Sequence, residues 1–185
     1  MLTFSHYDLL DEVHGPVKLL QSSLNFKRDA LEPVLSKNNI DLHYGKLYKG
    51  YVDRYNKGEG DPFFNQAGAF LHNIYFSQLQ APHDEMPTGD ALTFIEKHFK
   101  SWSQFKEQFE KEAMMFKGSG WIYLDKFGQI KTIKDHMIVK NIVLLIDWWE
   151  HAFILDYGSD KKSYLKNHWK IINWSVISSK IALKR

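Results

Sequence analysis

Between Gln80 and Gly89 the chain reads Gln-Ala-Pro-His-Asp-Glu-Met-Pro-Thr-Gly, and no regular helix or strand runs through two prolines and a glycine so closely spaced. This stretch splits the 185 residues into a first lobe, 1-84, and a second, 85-185. A chain of this length buries roughly 70% of its unfolded surface. Each half must therefore carry a pattern that builds core, and the two patterns differ.

In the first half Ile40, Tyr44, Leu47, Tyr51 and Tyr55 recur at spacings of three and four, which predicts one helix with an apolar and aromatic stripe ending at Gly58. Gly45 and Gly50 lie inside it. Each costs ~1 kcal/mol relative to alanine, so their presence suggests that another backbone packs closely there. Phe63, Ala67, Phe70, Leu71, Ile74 and Tyr75 predict a second helix. The first lobe is thus read as a helical hairpin after a less regular N-terminal segment, within which Leu9 to Val13 is open to two readings, a short helix packing on the hairpin or an added interface.

In the second half Ala91 to Lys100 reads as helix, and Ser101-Trp-Ser-Gln104 is a capping-box signature ahead of Trp102, Phe105, Phe109 and Ala113. Gly118-Ser-Gly120 ends that run. Strand character follows at Trp121 to Leu124 and Gln129 to Lys134, joined by the turn Asp125-Lys-Phe-Gly128, and again in the β-branched run Ile142 to Ile146. Helical periodicity returns from about Trp148 to the end. The fold class expected is α+β: an N-terminal helical hairpin lobe, then a C-terminal lobe with a small, mostly antiparallel three-stranded sheet and surrounding helices.

Composition removes several function classes. The chain has no cysteine, which excludes disulfides, thiolate metal sites, iron–sulfur clusters and thiol nucleophiles, so any metal must be held by nitrogen and oxygen. Lys and Arg total 24 against 22 Asp and Glu, too even a balance to argue for a nucleic-acid surface. The N-terminus carries acids and histidines where a signal peptide needs a basic start and an apolar run, and no later stretch approaches ~18 apolar residues. No membrane association and a cytoplasmic location are expected.

Of the nine histidines, His6, His14, His83 and His98 have no supporting context. His151 lies four residues after Asp147, which ends an apolar strand and opens the aromatic segment Asp147-Trp-Trp-Glu-His151. A carboxylate buried at a strand end needs a partner, and a metal ion is one of few that satisfies it; the alternative is an N-cap aspartate. His43 and His72 fall on the two predicted helices beside aromatic residues, where core histidines would look the same.

Taken together these positions resemble the metal site of the iron/manganese superoxide dismutases. His43-Tyr-Gly-Lys46 with Gly50-Tyr-Val52 is similar to that family's first-helix motif, and Phe64-Asn-Gln-Ala-Gly68 leading to His72 to its second. Gly118-Ser-Gly-Trp121 matches a further stretch, Asp147-Trp-Trp-Glu-His-Ala152 the family's Asp-x-Trp-Glu-His-Ala signature, and Tyr164-Leu and Trp169-Lys-Ile-Ile-Asn-Trp174 its C-terminal helices. The similarity runs in order from about Ala30 to the C-terminus.

The resemblance implies one iron or manganese ion per chain, held by His43, His72, Asp147 and His151 and a solvent molecule, and used to convert superoxide to oxygen and hydrogen peroxide. Nitrogen and oxygen ligands suit either ion in its +2 and +3 states. It gives Tyr51 the place of the family's gateway tyrosine. The glutamine donor four residues before the second histidine in many iron enzymes is Gly68 here, and the resemblance puts His136 in that role instead. Trp121, Trp149 and Phe76 would line the site. Two positions depart from the pattern: Leu47 replaces the gateway histidine and Ile154 a tyrosine, a pair that normally meets across a dimer interface. Glu150 is retained, so the resemblance implies a homodimer in which each Glu150 accepts a hydrogen bond from the other subunit's His151. The altered pair leaves a second reading open, a metal-binding relative with weak dismutase activity that acts as a store or sensor.

Overall fold

The Ser36 hydroxyl accepts the Asn39 N–H (3.1 Å) and so starts the first long helix. In the computed structural model, which describes residues 17–182, α1 (Lys37–Leu42) runs through a π-helical segment (His43–Tyr48) into α2 (Lys49–Lys57). Gly58, with φ of 70°, ends it in the left-handed region open to glycine. The segment Leu9 to Val13 lies outside the described residues.

A π turn holds more residues than an α turn, so the inward face slips along the sequence. Ile40, His43, Tyr48, Tyr51 and Val52 are buried, while Tyr44, Leu47 and Tyr55 of the expected stripe are half-buried. The expectation for Gly45 and Gly50 is not met. A β-carbon there would meet the ends of the Arg28 and Arg54 side chains, not another backbone.

Asp61 caps α3 (Pro62–Ser77) by accepting from the N–H groups of Phe63 (2.8 Å) and Phe64 (3.0 Å), with proline at the first turn, where its missing N–H costs nothing. α3 packs on α2 and the π segment and buries Ala67, Leu71, His72, Tyr75 and Phe76, but Phe63, expected on the stripe, is 78% exposed.

After the proline-rich break come α4 (Gly89–Phe99) and α5 (Trp102–Met115), the latter capped by Ser101, whose hydroxyl accepts the Gln104 N–H as its motif predicts. The sheet comprises β1 (Gly120–Asp125), β2 (Ile130–Lys134) and β3 (Ile142–Asp147) in the order β2-β1-β3, both pairs antiparallel. Asp125 builds the hairpin turn by accepting from Phe127 and Gln129 N–H, each at 2.9 Å, and Gly128 closes it at φ 75°. β1 is buried along its whole length and β3 from Val143 on, which explains their unbroken apolar runs.

The expected helix from Trp148 does not begin there. Asp147 Oδ1 accepts the Trp149 N–H, Trp149 stays extended (ψ 147°), and the chain makes only a 3-10 turn (Glu150–Ala152) and one turn of α6 (Ile154–Tyr157). Gly158 (φ 57°) breaks it, and α7 (Lys161–His168), a 3-10 turn (Trp169–Ile171) and α8 (Trp174–Ala182) complete the lobe. Among the described residues no helix is long and apolar enough to cross a membrane.

Buried polar contacts set the lobes against each other. Asn39 Nδ2 donates to the Ala152 carbonyl (3.0 Å), and the Tyr157 hydroxyl donates to the Val34 carbonyl (2.8 Å). The Gln78 amide, fully buried, accepts from Leu145 N–H and donates to Leu145 C=O, which caps the outer edge of β3 as a strand residue would. The end of β3 is thereby pressed against α3 and the π segment.

Candidate metal centre

That junction brings together the four residues named from the sequence. His43 opens the π segment, His72 lies midway along α3, Asp147 is the last residue of β3, and His151 sits in the following 3-10 turn. One donor atom from each lies within 4.8 Å of all the others. Asp147 Oδ2 is 3.1 Å from His43 Nε2, 3.4 Å from His151 Nε2 and 3.8 Å from His72 Nε2. Two ligands held ~2.1 Å from a shared ion stand ~3.0 Å apart across a right angle and ~3.6 Å across 120°. Two of the three Asp147 distances fall inside that range and the third, to His72, lies just above it.

The same four atoms are buried and, among the described residues, have no hydrogen-bond partner. One orphaned nitrogen in a core costs ~1–3 kcal/mol; three of them and a carboxylate oxygen, all aimed at one point, mark a place built for a cation. Their protonation states agree. Burial alone would raise the Asp147 pKa, but His151 and His43 hold it well below the usual carboxylate range. Burial lowers His43 and takes His72 well below its ordinary value, aided there by His43, so both imidazoles are neutral with a lone pair free.

An outer layer fixes the donors. His72 Nδ1–H donates to the Gly68 carbonyl (2.7 Å), which leaves Nε2 to face the cluster. Trp149 N–H holds Asp147 Oδ1 at 2.8 Å, which leaves Oδ2. The Tyr164 hydroxyl donates to the Asp147 carbonyl (3.0 Å), so the Tyr75 hydroxyl, 3.4 Å away, donates to Tyr164.

Tyr51 and His136 meet beside the cluster. Indole N–H can only donate, so Trp121 Nε1–H fixes His136 Nδ1 as an acceptor (3.1 Å). Burial pushes His136 down to about 4 and keeps it neutral, and its single proton then sits on Nε2, which donates to the Tyr51 oxygen at 2.9 Å. Burial, then the Asp147 charge, push Tyr51 up to about 12, so its own hydroxyl proton is retained. Gly68 is explained by the same contact. A β-carbon there would lie 2.8 Å from Tyr51 Cγ, and the tyrosine ring fills the space a longer side chain would need.

Aromatic rings close the wall. Trp121 stands edge-on to His72 (5.0 Å), Phe76 edge-on to His43 (4.9 Å), and Trp149 stacks on His136 (4.7 Å) and His151 (5.8 Å). On the outer side Glu150 is exposed, His151 is 17% exposed, and Ile154 is 48% exposed with Leu47 half-buried. Sequence reasoning did not mark Tyr48, which stacks on His72 at 5.7 Å, because a regular helical period does not anticipate the π segment. It also passed over His168, fully buried and stacked on Tyr75 (5.6 Å), which packs in turn on His43 (5.4 Å). Only its place beside Trp169 on an apolar face could have signalled it.

With the geometry in place, comparison with known proteins is specific. Residues 87–180 match the C-terminal domain of iron/manganese superoxide dismutases, and residues 20–62 match the α-hairpin domain of the same group. A manganese/iron superoxide dismutase of Porphyromonas gingivalis is 33% identical over 184 residues, 85% of this chain and 96% of that protein. An iron superoxide dismutase of Legionella pneumophila is 31% identical over the same shares, and one of Pyrobaculum aerophilum is 30% identical over 85% of this chain and 89% of its own length. Two domain matches in sequence order and relatives aligned over most of their length, on a fold that gathers four orphaned ligand atoms, lead to one assignment: the chain belongs to the iron/manganese superoxide dismutase family.

Proposed function

We propose that the protein is a superoxide dismutase that holds one iron or manganese ion through His43, His72, Asp147 and His151. The observation that carries this is the convergence of four buried, unpartnered donor atoms within 4.8 Å in a chain of this family. The ion, when bound, supplies reversible one-electron chemistry between its +2 and +3 states. Three imidazole ligands and one carboxylate leave part of its charge uncompensated, which favours an anionic substrate.

Tyr51 and His136 act on protons. His136 gives its Nε2–H to the Tyr51 oxygen, so the Tyr51 hydroxyl proton is free to serve a substrate or solvent in the cage. Trp121 fixes the His136 tautomer that makes this possible, and Trp149 both shields the imidazole and orients Asp147.

The two lobes, 1-84 and 85-185, act as one unit, since each supplies two of the ligands. In this reading the protein is a cytoplasmic antioxidant enzyme and a homodimer, with Glu150 of each subunit accepting from the other's His151. The exposed positions of Glu150 and Ile154 beside His151 support that surface.

The test pairs metal content with turnover. Protein grown with iron and with manganese in excess is expected to hold about one ion per chain, and at least one form should suppress superoxide-driven cytochrome c reduction. Full loading with each metal and no activity in either form refutes the reading.

A further inference from the structure

At the opposite end of β3 from Asp147 lies a cavity of about 440 Å³, within the range of ~300–1,000 Å³ typical of small-molecule sites. Its apolar walls are Phe70 and Ile74 of α3 and Ile138, Val139, Ile142 and Val143 of the β2–β3 connection and β3. Three lysines line it from separate elements: Lys126 from the hairpin turn, with its amine over the Phe127 ring, Lys140 from the connection and Lys180 from α8. Among the described residues the lining contains no carboxylate and none of the three forms an ion pair.

Lys180 is the unusual member. Its Nζ reaches inward to within 3.5 Å of Gln78 Oε1, the amide that caps β3, so the ammonium sits on a fixed neutral acceptor with no counter-charge among the described residues. Burial pushes this amine down to about 8, the mark of a cation held away from water without a partner. A half-buried ammonium over an apolar wall is stabilised most by an anion whose body covers that wall.

We propose that this cavity binds a small anionic amphiphile, a medium-chain carboxylate, with its carboxylate on Lys180 and the rim amines and its chain against Phe70, Ile74 and Val143. Charge complementarity selects the occupant. A neutral chain leaves the amines unpaired, and a short acid leaves the walls wet. The site is separate from the metal ligands, but Ile138 follows His136 by two residues, so an occupant touches the segment that carries that histidine.

Calorimetric titration of the metal-loaded, full-length protein with sodium decanoate, below its aggregation concentration, tests the site. Saturable binding of one decanoate per chain is expected, with decanol and acetate at least about tenfold weaker. Lys180→Gln is expected to weaken decanoate by about tenfold, and so is Ile138→Glu, which puts a carboxylate at a position already 47% exposed and therefore tolerant. Equal affinity for decanol, undiminished binding in both variants, or no saturable binding would each overturn the assignment.

Discussion

His168→Phe separates burial from chemistry in the core behind the metal ligands. The substitution keeps a flat ring between Tyr75 and Tyr164 and deletes an imidazole whose two nitrogens have no partner among the described residues. Burial pushes His168 down to about 3, whereas in the unfolded chain it titrates near ~6.5. Between those values the unfolded state binds the proton and the folded state does not. The group's contribution is therefore intact above pH ~6.5 and is lost as pH falls, at roughly 1 kcal/mol per pH unit. The variant has no such group, so its stability relative to the parent should rise by about 2 kcal/mol between pH 6.5 and 5. At neutral pH two opposing effects of similar size meet, relief of an unpaired imidazole (~1–2 kcal/mol) and the strain of a larger ring (~1–3 kcal/mol), so the slope decides. Urea unfolding of both metal-free proteins at the two pH values measures it, with the other histidines cancelling in the difference. A stability gap of the same size at both pH values refutes the reasoning.

Gly68→Ala should destabilise although alanine is the better helix former by ~1 kcal/mol, because its β-carbon meets the Tyr51 ring, itself pinned by His136. A melting point raised by ~2–4 °C, the propensity effect alone, would contradict this. Removal of metal with a chelator should lower the melting point by about 10 °C or more, since four orphaned donors lose their shared partner; calorimetry of loaded and stripped protein checks it, and coincident transitions refute it. Tyr164→Phe strips the hydrogen bond from the Asp147 carbonyl and the acceptor from Tyr75, at a cost of ~1–3 kcal/mol with a fall in bound metal per chain. Unchanged denaturation and metal content would show that Tyr164 does not hold the strand end.

The elements whose causes are local were legible in the sequence. Ser101 and its capping partner, the Asp125 to Gly128 turn and the apolar runs of β1 and β3 all lie where pattern and chemistry put them. What escaped depends on events between elements. The π segment shifts the buried face from Leu47 to Tyr48, and nothing in the spacing of aromatic residues announces an extra residue in a turn. The helix expected from Trp148 failed because Asp147, read as a ligand or a cap, uses its second oxygen to hold Trp149 extended. The four ligands share the same limit. Asp147 and His151 stood out by their mutual spacing, but His43 and His72 were distinguishable from core histidines only through motif resemblance, since the contact that makes them ligands joins residues far apart in the chain.

The ligand cage is held by two different means, and the difference follows from where each residue sits. His72 is tied by its own helix through Gly68, and Asp147 by Trp149 and Tyr164, so both are oriented by hydrogen bonds with a preferred direction. His43 has no such bond: its Nδ1 is buried and unpartnered among the described residues, and rings of His72 (5.0 Å), Phe76 (4.9 Å) and Tyr75 (5.4 Å) surround it. Its aim is therefore a property of packing, set where the π segment begins and where Tyr75 rests on His168. Packing tolerates rotation that a hydrogen bond does not. Of the three fully buried ligands, His43 is thus the one whose orientation is most exposed to changes in the surrounding core.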